Sequence, residues 1–207
     1  MIKKTSSNKK ERILIVLVVI SLIFYFDCNT KKCPVCPEGP FIVVPDDINS
    51  IQQAIDSLSG DGGTVYIKAG AYVLSQGIHI NRSNVIITGE QGTLIKLGNN
   101  VNQPVFLLGS DEKTPTKSIE NLQIKNIEID GNKENQTSEL DSNRSWIRNN
   151  GIDVMMVYDL WVSNVDIHDT RSGGIVVACK PKKYLSKIPL FITTISMELL
   201  YMTVRIL

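Results

Sequence analysis

Two stretches of the sequence repeat one another at a fixed offset of 38. IENLQIKNIEID (119–130) aligns with VYDLWVSNVDIH (157–168). Leu122 meets Leu160, Ile124 meets Val162, Ile127 meets Val165, Glu128 meets Asp166 and Ile129 meets Ile167. Asn126 meets Asn164, and a fainter copy, NVIITG (84–89), places Asn84 37 residues before Asn121. A recurrence of this kind is expected of a solenoid, in which each turn buries its apolar face only against the next.

Within each copy the apolar residues alternate with polar ones, the period of a strand. The Asn at 126 and 164 breaks the alternation once. Such an Asn suits a bend between two short strands, and stacked Asn side chains would bond one another from turn to turn. Extended outward, the pattern gives four triplets of strands. They are 63–67, 71–74 and 77–80; 84–87, 93–97 and 104–108; 121–124, 126–129 and 151–156; 159–162, 164–167 and 174–178. The fold class predicted is all-β, a right-handed parallel β-helix of about four rungs. A β-sandwich of short strands would not be expected to repeat at a fixed offset.

Residues 47–58, DINSIQQAIDSL, form the one clear helix, with Ile51, Ala54, Ile55 and Leu58 on one face and Ser50 with Gln53 as a capping box. It is expected to be an N-terminal capping helix over the open end of the stack. The segment 46–74 resembles the entry of the pectate-lyase-like β-helix superfamily: a helix, then Gly62-Gly63-Thr64-Val65, an apolar strand, and Gly70-Ala71-Tyr72. Many members carry Pro where Lys68 stands. The resemblance covers about 44–180 and implies the fold. For activity it implies only a choice among polysaccharide lyases, glycoside hydrolases, uronate epimerases, phage tailspikes and inactive members.

Around this body the chain changes character. Residues 1–12 carry five Lys/Arg and one Glu, and 13–26 (ILIVLVVISLIFYF) are apolar. That is the pattern of an export signal or an anchor, although a span usually needs ~20 residues. No small-x-small cleavage site follows, so an uncleaved, single-pass signal-anchor with the body outside the cytoplasm is favoured over a secreted product. Residues 27–45 hold Cys28 and the CxxC pair Cys33/Cys36 in a Pro-rich linker; a loop disulfide or free thiols suit it better than a metal site. The β-helix domain is placed at 46–180. After Cys179, which reads as core, the corner residues vanish. The apolar tail 181–207 is expected to add no rung and to be a truncated or out-of-frame end.

The formal net charge of +1 conceals a split, because 41–179 carry seventeen Asp/Glu against ten Lys/Arg. An acidic body argues against nucleic acid as partner. Two polar insertions, 110–118 and 131–150, interrupt the strands; loops of ~20 residues in a compact domain are usually functional or disordered. Trp146 lies between Arg144 and Arg148, where it would either stack on an acidic sugar or pack the loop against the wall, the second reading being preferred.

The chemistry follows from stacking, since aligned residues of successive turns lie about 4.8 Å apart. Glu128 falls over Asp166 and Asp130 over His168, with Asp169 and Arg171 in the next corner. Candidate catalytic residues are Asp130, Asp166, His168, Asp169 and Arg171. His168 is assigned general base, and Arg171 is assigned to bind a sugar carboxylate. Glu128 and Asp166 are the candidate metal ligands, for Ca²⁺. Asp166-Ile167-His168-Asp169 resembles the Asp-Pro-His-Asp motif of alginate epimerases, with Ile for Pro. The blander alternative is a solvated acidic face. Together these point to a polysaccharide partner, an acidic glycan among the candidates, met by a weakly active enzyme fragment or a non-catalytic adhesion or glycan-binding module. Four rungs would offer a groove of only about 15 Å.

Overall fold

The computed structural model describes residues 40–179 and the strand 191–193. The basic segment 1–12, the apolar run 13–26, the cysteines at 28, 33 and 36, the side chain of Cys179 and the rest of the tail lie outside the described residues. Among the described residues no helix is long and apolar enough to cross a membrane.

The strands, in chain order, are β1 (Phe41–Val44), β2 (Gly63–Ile67), β3 (Gly70–Leu74), β4 (Ile78–Ile80), β5 (Val85–Gly89), β6 (Thr93–Leu97) and β7 (Phe106–Gly109). They continue with β8 (Ile119–Asp130), β9 (Ile152–Met155), β10 (Val157–His168), β11 (Ile175–Cys179) and β12 (Phe191–Thr193). The fold is all-β, and every pairing between these strands is parallel. One sheet runs β1-β2-β5-β8-β10-β12, with β6 joining β3 to the second half of β8; the other runs β11-β9-β7-β4. The curled sheets enclose one core. The eight aligned residues expected inside, from Leu122 to Ile167, are all buried.

The 38-residue alignment is the observed register. Leu122 pairs with Leu160, Ile127 with Val165, Glu128 with Asp166 and Asp130 with His168. β8 and β10 are each continuous through the bend at Asn126 and Asn164. Both Asn residues are left-handed, with φ of 58° and 50°, a conformation Asn tolerates better than other non-Gly residues. Their side chains form the expected ladder: Asn164 Nδ2 donates to Asn126 Oδ1 at 3.0 Å, and Asn126 Nδ2 to Thr88 Oγ1 at 3.4 Å. At the start of the same strands Asn121 Nδ2 donates to Asn84 Oδ1 at 2.9 Å. Asn126→Ala should cost about 1–2 kcal/mol for the left-handed backbone alone. Asn126→Gly should recover most of that and leave only the ladder loss, a difference that urea denaturation of the two variants would read.

The helix is shorter than expected, α1 (Ile51–Asp56), with Ser50 Oγ accepting from Gln53 N. Its apolar face, Ile51, Ala54 and Ile55, is buried. Gln52 sits against the free edge of β4, where its Oε1 accepts from His79 N at 2.8 Å and its Nε2 donates to His79 O at 3.0 Å. The amide thus supplies the bonds that a neighbouring strand would give. Arg82 Nη1 donates to the carbonyls of Ile55 and Leu58 at 2.9 and 2.8 Å, satisfying the end of the helix.

Two strands lie outside the four expected triplets. Residues 41–44, assigned to the linker, form β1 and pair with β2 in register Phe41–Thr64 to Val44–Ile67. Within the tail, expected to add no further rung, the three-residue strand β12 pairs with Trp161–Ser163 of β10.

Candidate functional site

The outward faces of β3, β6, β8 and β10 carry two columns. One runs Ala71, Leu94, Glu128, Asp166 and the other Val73, Lys96, Asp130, His168. The columns are set by corner length. β5 and β6 are joined by a broad turn ending at Gly92, where φ is +91°, whereas β8 and β10 turn on a single Asn. Residues of the broad turn and of the narrow bends together line an open cleft of about 600 Å³. A Cβ on Gly89 would stand 2.3 Å from Asn126 O, so only glycine allows this approach. Gln91, Thr93, Asn126, Glu128, Asn164 and Asp166 line the cleft.

Beside the cleft His168 is held at both ring nitrogens. Nδ1 lies 2.9 Å from Asp169 Oδ2 and Nε2 lies 3.1 Å from Glu128 Oε1. Burial pulls the imidazole's pKa down, but the hydrogen bonds to Asp169 and Glu128 and the charges of Asp130 and Asp169 outweigh it and hold the pKa above the ordinary 6.5. Both ring nitrogens face carboxylate oxygens, so neither is open to a substrate proton as they stand, and the general-base role expected from the sequence requires one of these contacts to break.

Asp130 points outward as expected, yet it is only 7% exposed. Lys96 Nζ lies 2.5 Å from its Oδ2, and Asn132 N donates to its Oδ1 at 2.7 Å. Asn132 is left-handed, φ 51°, and its Nδ2 donates to Leu97 O at 2.8 Å. Asp166 lies under the cleft two residues before His168 and forms no ion pair among the described residues. Arg171 is partly buried with its Nε lacking a hydrogen-bond partner, and it pairs with none of Asp130, Asp166 or Asp169. The structure therefore joins Glu128, Asp130, His168 and Asp169, keeps Asp166 beside them in the cleft, and leaves Arg171 apart.

Single ligand atoms of Asp130, His168 and Asp169 lie within 4.8 Å of one another. The donor set suits Ca²⁺ poorly, because Ca²⁺ takes six to eight oxygens and here an imidazole intervenes and Lys96 neutralises Asp130. The pair assigned to Ca²⁺, Glu128 and Asp166, offers two carboxylates, one of which already bonds His168.

The 131–150 insertion is built, not slack. Asp141 is buried; its Oδ1 accepts from the N–H groups of Asn143 and Arg144, and its Oδ2 accepts from Arg144 Nε and Nη2 at 3.1 and 2.7 Å. Arg144 Nη1 also reaches Asp111 at 3.2 Å, and Trp146 Nε1 donates to Asp111 O at 3.0 Å. Trp146 thus ties one insertion to the other, and Ile147 packs with Leu107 and Met155 against the outer wall. Beneath it lies Asp153, a buried acid that sequence reasoning passed over, 2% exposed on β9.

An all-parallel β-fold with an outward carboxylate–imidazole cluster beside an open cleft is the class of scaffold this geometry defines. Within that class the chain belongs to the rhamnogalacturonase A/epimerase, pectate lyase-like family, whose model matches residues 43–185. It is 24% identical over 167 residues to a preneck appendage protein of Bacillus phage PZA, covering 80% of this chain and 18% of that protein. It is 34% identical over 124 residues to the mannuronan C5-epimerase AlgE5 of Azotobacter vinelandii, covering 56% of this chain and 12% of the enzyme. The chain thus spans less than a fifth of the length of these relatives. Among solved structures, the A-module of mannuronan C-5 epimerase AlgE4 of Azotobacter vinelandii has a TM-score of 0.49 at 21% identity, covering 70% of this chain and 40% of that one. ORF18 of Geobacillus virus E2 has a TM-score of 0.48 at 23% identity, covering 65% and 25%.

Proposed function

We propose that this chain is a polysaccharide-associated β-helix of the cell envelope, a truncated relative of polysaccharide lyases, hydrolases and epimerases with weak or no activity. In this reading the stack is right-handed and has four turns, with α1 closing its N-terminal end. The segment 13–26 holds the body outside the cytoplasm. The observation that carries the reading is the clamp on His168 beside the cleft. A cluster poised for proton abstraction by the imidazole would leave one of its nitrogens open to the sugar, and here both face carboxylates while Lys96 holds Asp130. Residual chemistry would fall to Asp166 as base and the His168 imidazolium as acid, with Asp130 and Asp169 holding its charge and Arg171 as the more distant carboxylate-binding group. Glu128 and Asp166 would be the residues to hold Ca²⁺ and would be too few for a resident ion; its contribution would be to neutralise the charge of a sugar carboxylate.

A non-catalytic adhesion or glycan-binding module is the second reading. The same clamp favours it, as does the likeness to a phage appendage protein over 80% of the chain. The two readings separate on turnover. The full chain is incubated with polygalacturonate and with alginate, with and without Ca²⁺, and unsaturated or epimerised product is followed. Turnover near background with retained glycan binding is expected. Robust turnover abolished by His168→Ala with Asp166→Ala would make the chain a complete enzyme, and robust turnover that survives both changes would remove this site.

A further inference from the structure

The cleft carries a charge pattern that its relatives' substrates do not explain. Among the described residues, no Lys, Arg or His lines it. Its charged residues are Glu128 and Asp166, aligned on successive strands and therefore about 4.8 Å apart along the stack. Two basic groups on the same outward face are already held: Lys96 by Asp130, and His168 by Glu128 and Asp169. Lys125 comes before the Asn126 bend, in register with Ser163 and Thr88, and is not among the lining residues. The remaining polar lining is amide and hydroxyl, from Gln91, Asn126, Asn164 and Thr93. Those groups donate to and accept from sugar hydroxyls alike.

A polyuronate carries one carboxylate on each sugar, and in this cleft it meets Asp166, which forms no ion pair among the described residues, and Glu128, which His168 engages at one oxygen only, with no basic side chain in the lining to receive it. A sugar bearing a free amine meets them with the opposite sign and gains charge-assisted hydrogen bonds. We infer that the cleft takes an amino-bearing polysaccharide segment, its ammonium between Glu128 and Asp166 and its hydroxyls on the amide and hydroxyl lining. The inference rests on the polysaccharide reading above and names the class of sugar for that same cleft.

The test uses the full chain in chelator, so that no divalent ion can bridge a uronate, at a pH where the sugar amine is charged. Calorimetric titration compares glucosamine oligomers, N-acetylglucosamine oligomers of equal length and oligogalacturonate. The amino oligomers are expected to bind about tenfold more tightly than either of the others. That preference should fall with added salt, and Glu128→Gln and Asp166→Asn should each reduce it. Equal affinity for the amino and acetylated oligomers overturns the inference and leaves the polysaccharide reading standing. Tighter binding of oligogalacturonate without divalent ions overturns it as well. Binding of none of the three removes the polysaccharide reading and this inference together.

Discussion

Ile127→Asp abolishes the cooperative unfolding transition of the body. Ile127 is 3% exposed and stands at the tightest bend of β8, opposite Val165. Gly89 presses so close that a Cβ added there would lie 3.0 Å from Ile127 Cγ1. Truncating such a residue to Ala costs about 2–5 kcal/mol in transfer and cavity terms. An unpaired carboxylate adds several kcal/mol of desolvation on top, because no cation reaches this interior position. A domain of this size has roughly 5–15 kcal/mol in hand. Circular dichroism through a urea titration should therefore show a cooperative transition for the native chain, a displaced one for Ile127→Ala and none for Ile127→Asp. Glu128→Ala, one residue on but facing outward, should stay within about 1 kcal/mol of the native chain. A cooperative transition of near-native midpoint in Ile127→Asp would mean that the stretch 119–130 does not face the core.

The contrast between neighbours 127 and 128 was legible in the sequence, because a fixed offset between two copies specifies a parallel register, and a register specifies which face each side chain takes. The Asn ladder came with it. The Lys96–Asp130 pair did not. Lys96 is 34 positions before Asp130, whereas the repeat runs at 37 and 38, and the difference is absorbed by the corner before β6. An offset reading aligns strands only where corner lengths are equal, so Asp130 read as an outward carboxylate stacked on His168, with no sign of the lysine that covers it. β1 was hidden for another reason: FIVV is four residues beside a Pro-rich run and outside any repeat, and only its pairing with β2 makes it a strand. The insertion 131–150 looked structureless because its order comes from side chains bonding backbone, as at Asp141 and Asn102, and such bonds leave no hydrophobic period to read. The acid beneath it escaped notice for the same cause, since only the folded insertion buries it.

That acid makes the fold more stable in mild acid than at neutral pH. Asp153 Oδ2 accepts from Asn150 Nδ2 at 3.1 Å and from Arg148 N at 3.4 Å, while Oδ1 is buried with no hydrogen-bond partner. Burial pushes the carboxyl from its ordinary 3.8 up to about 6, against the lowering effect of the Arg148 N–H and the Asn150 amide. A carboxyl whose pKa is higher in the folded than in the unfolded chain binds its proton more tightly when folded. The stability it lends is thus complete below about pH 4 and is lost as pH rises through about 6, a difference of about 3 kcal/mol between the two limits. His168, also raised, works in the same direction, so its contribution must be separated. Urea denaturation across that pH range should show the native chain losing stability as pH rises. Asp153→Asn should remove most of the slope between about pH 4 and 6, whereas the part due to His168 falls higher, above its ordinary 6.5, and should persist in the variant. Its gain at neutral pH should be less than the charge term, because the new Nδ2 takes the place of an oxygen that has no partner, and a buried unpaired donor costs about 1–3 kcal/mol. The same burial ties the acid to the insertion, since Arg148 and Asn150 are the insertion's last residues before β9. Amide exchange of 139–150 should accordingly quicken from about pH 5 to about pH 7 beyond its intrinsic rise in the native chain, and follow only the intrinsic rise in Asp153→Asn. A slope identical in the two proteins would place Asp153 in contact with solvent and leave the insertion held by Asp141, Arg144 and Ile147 alone.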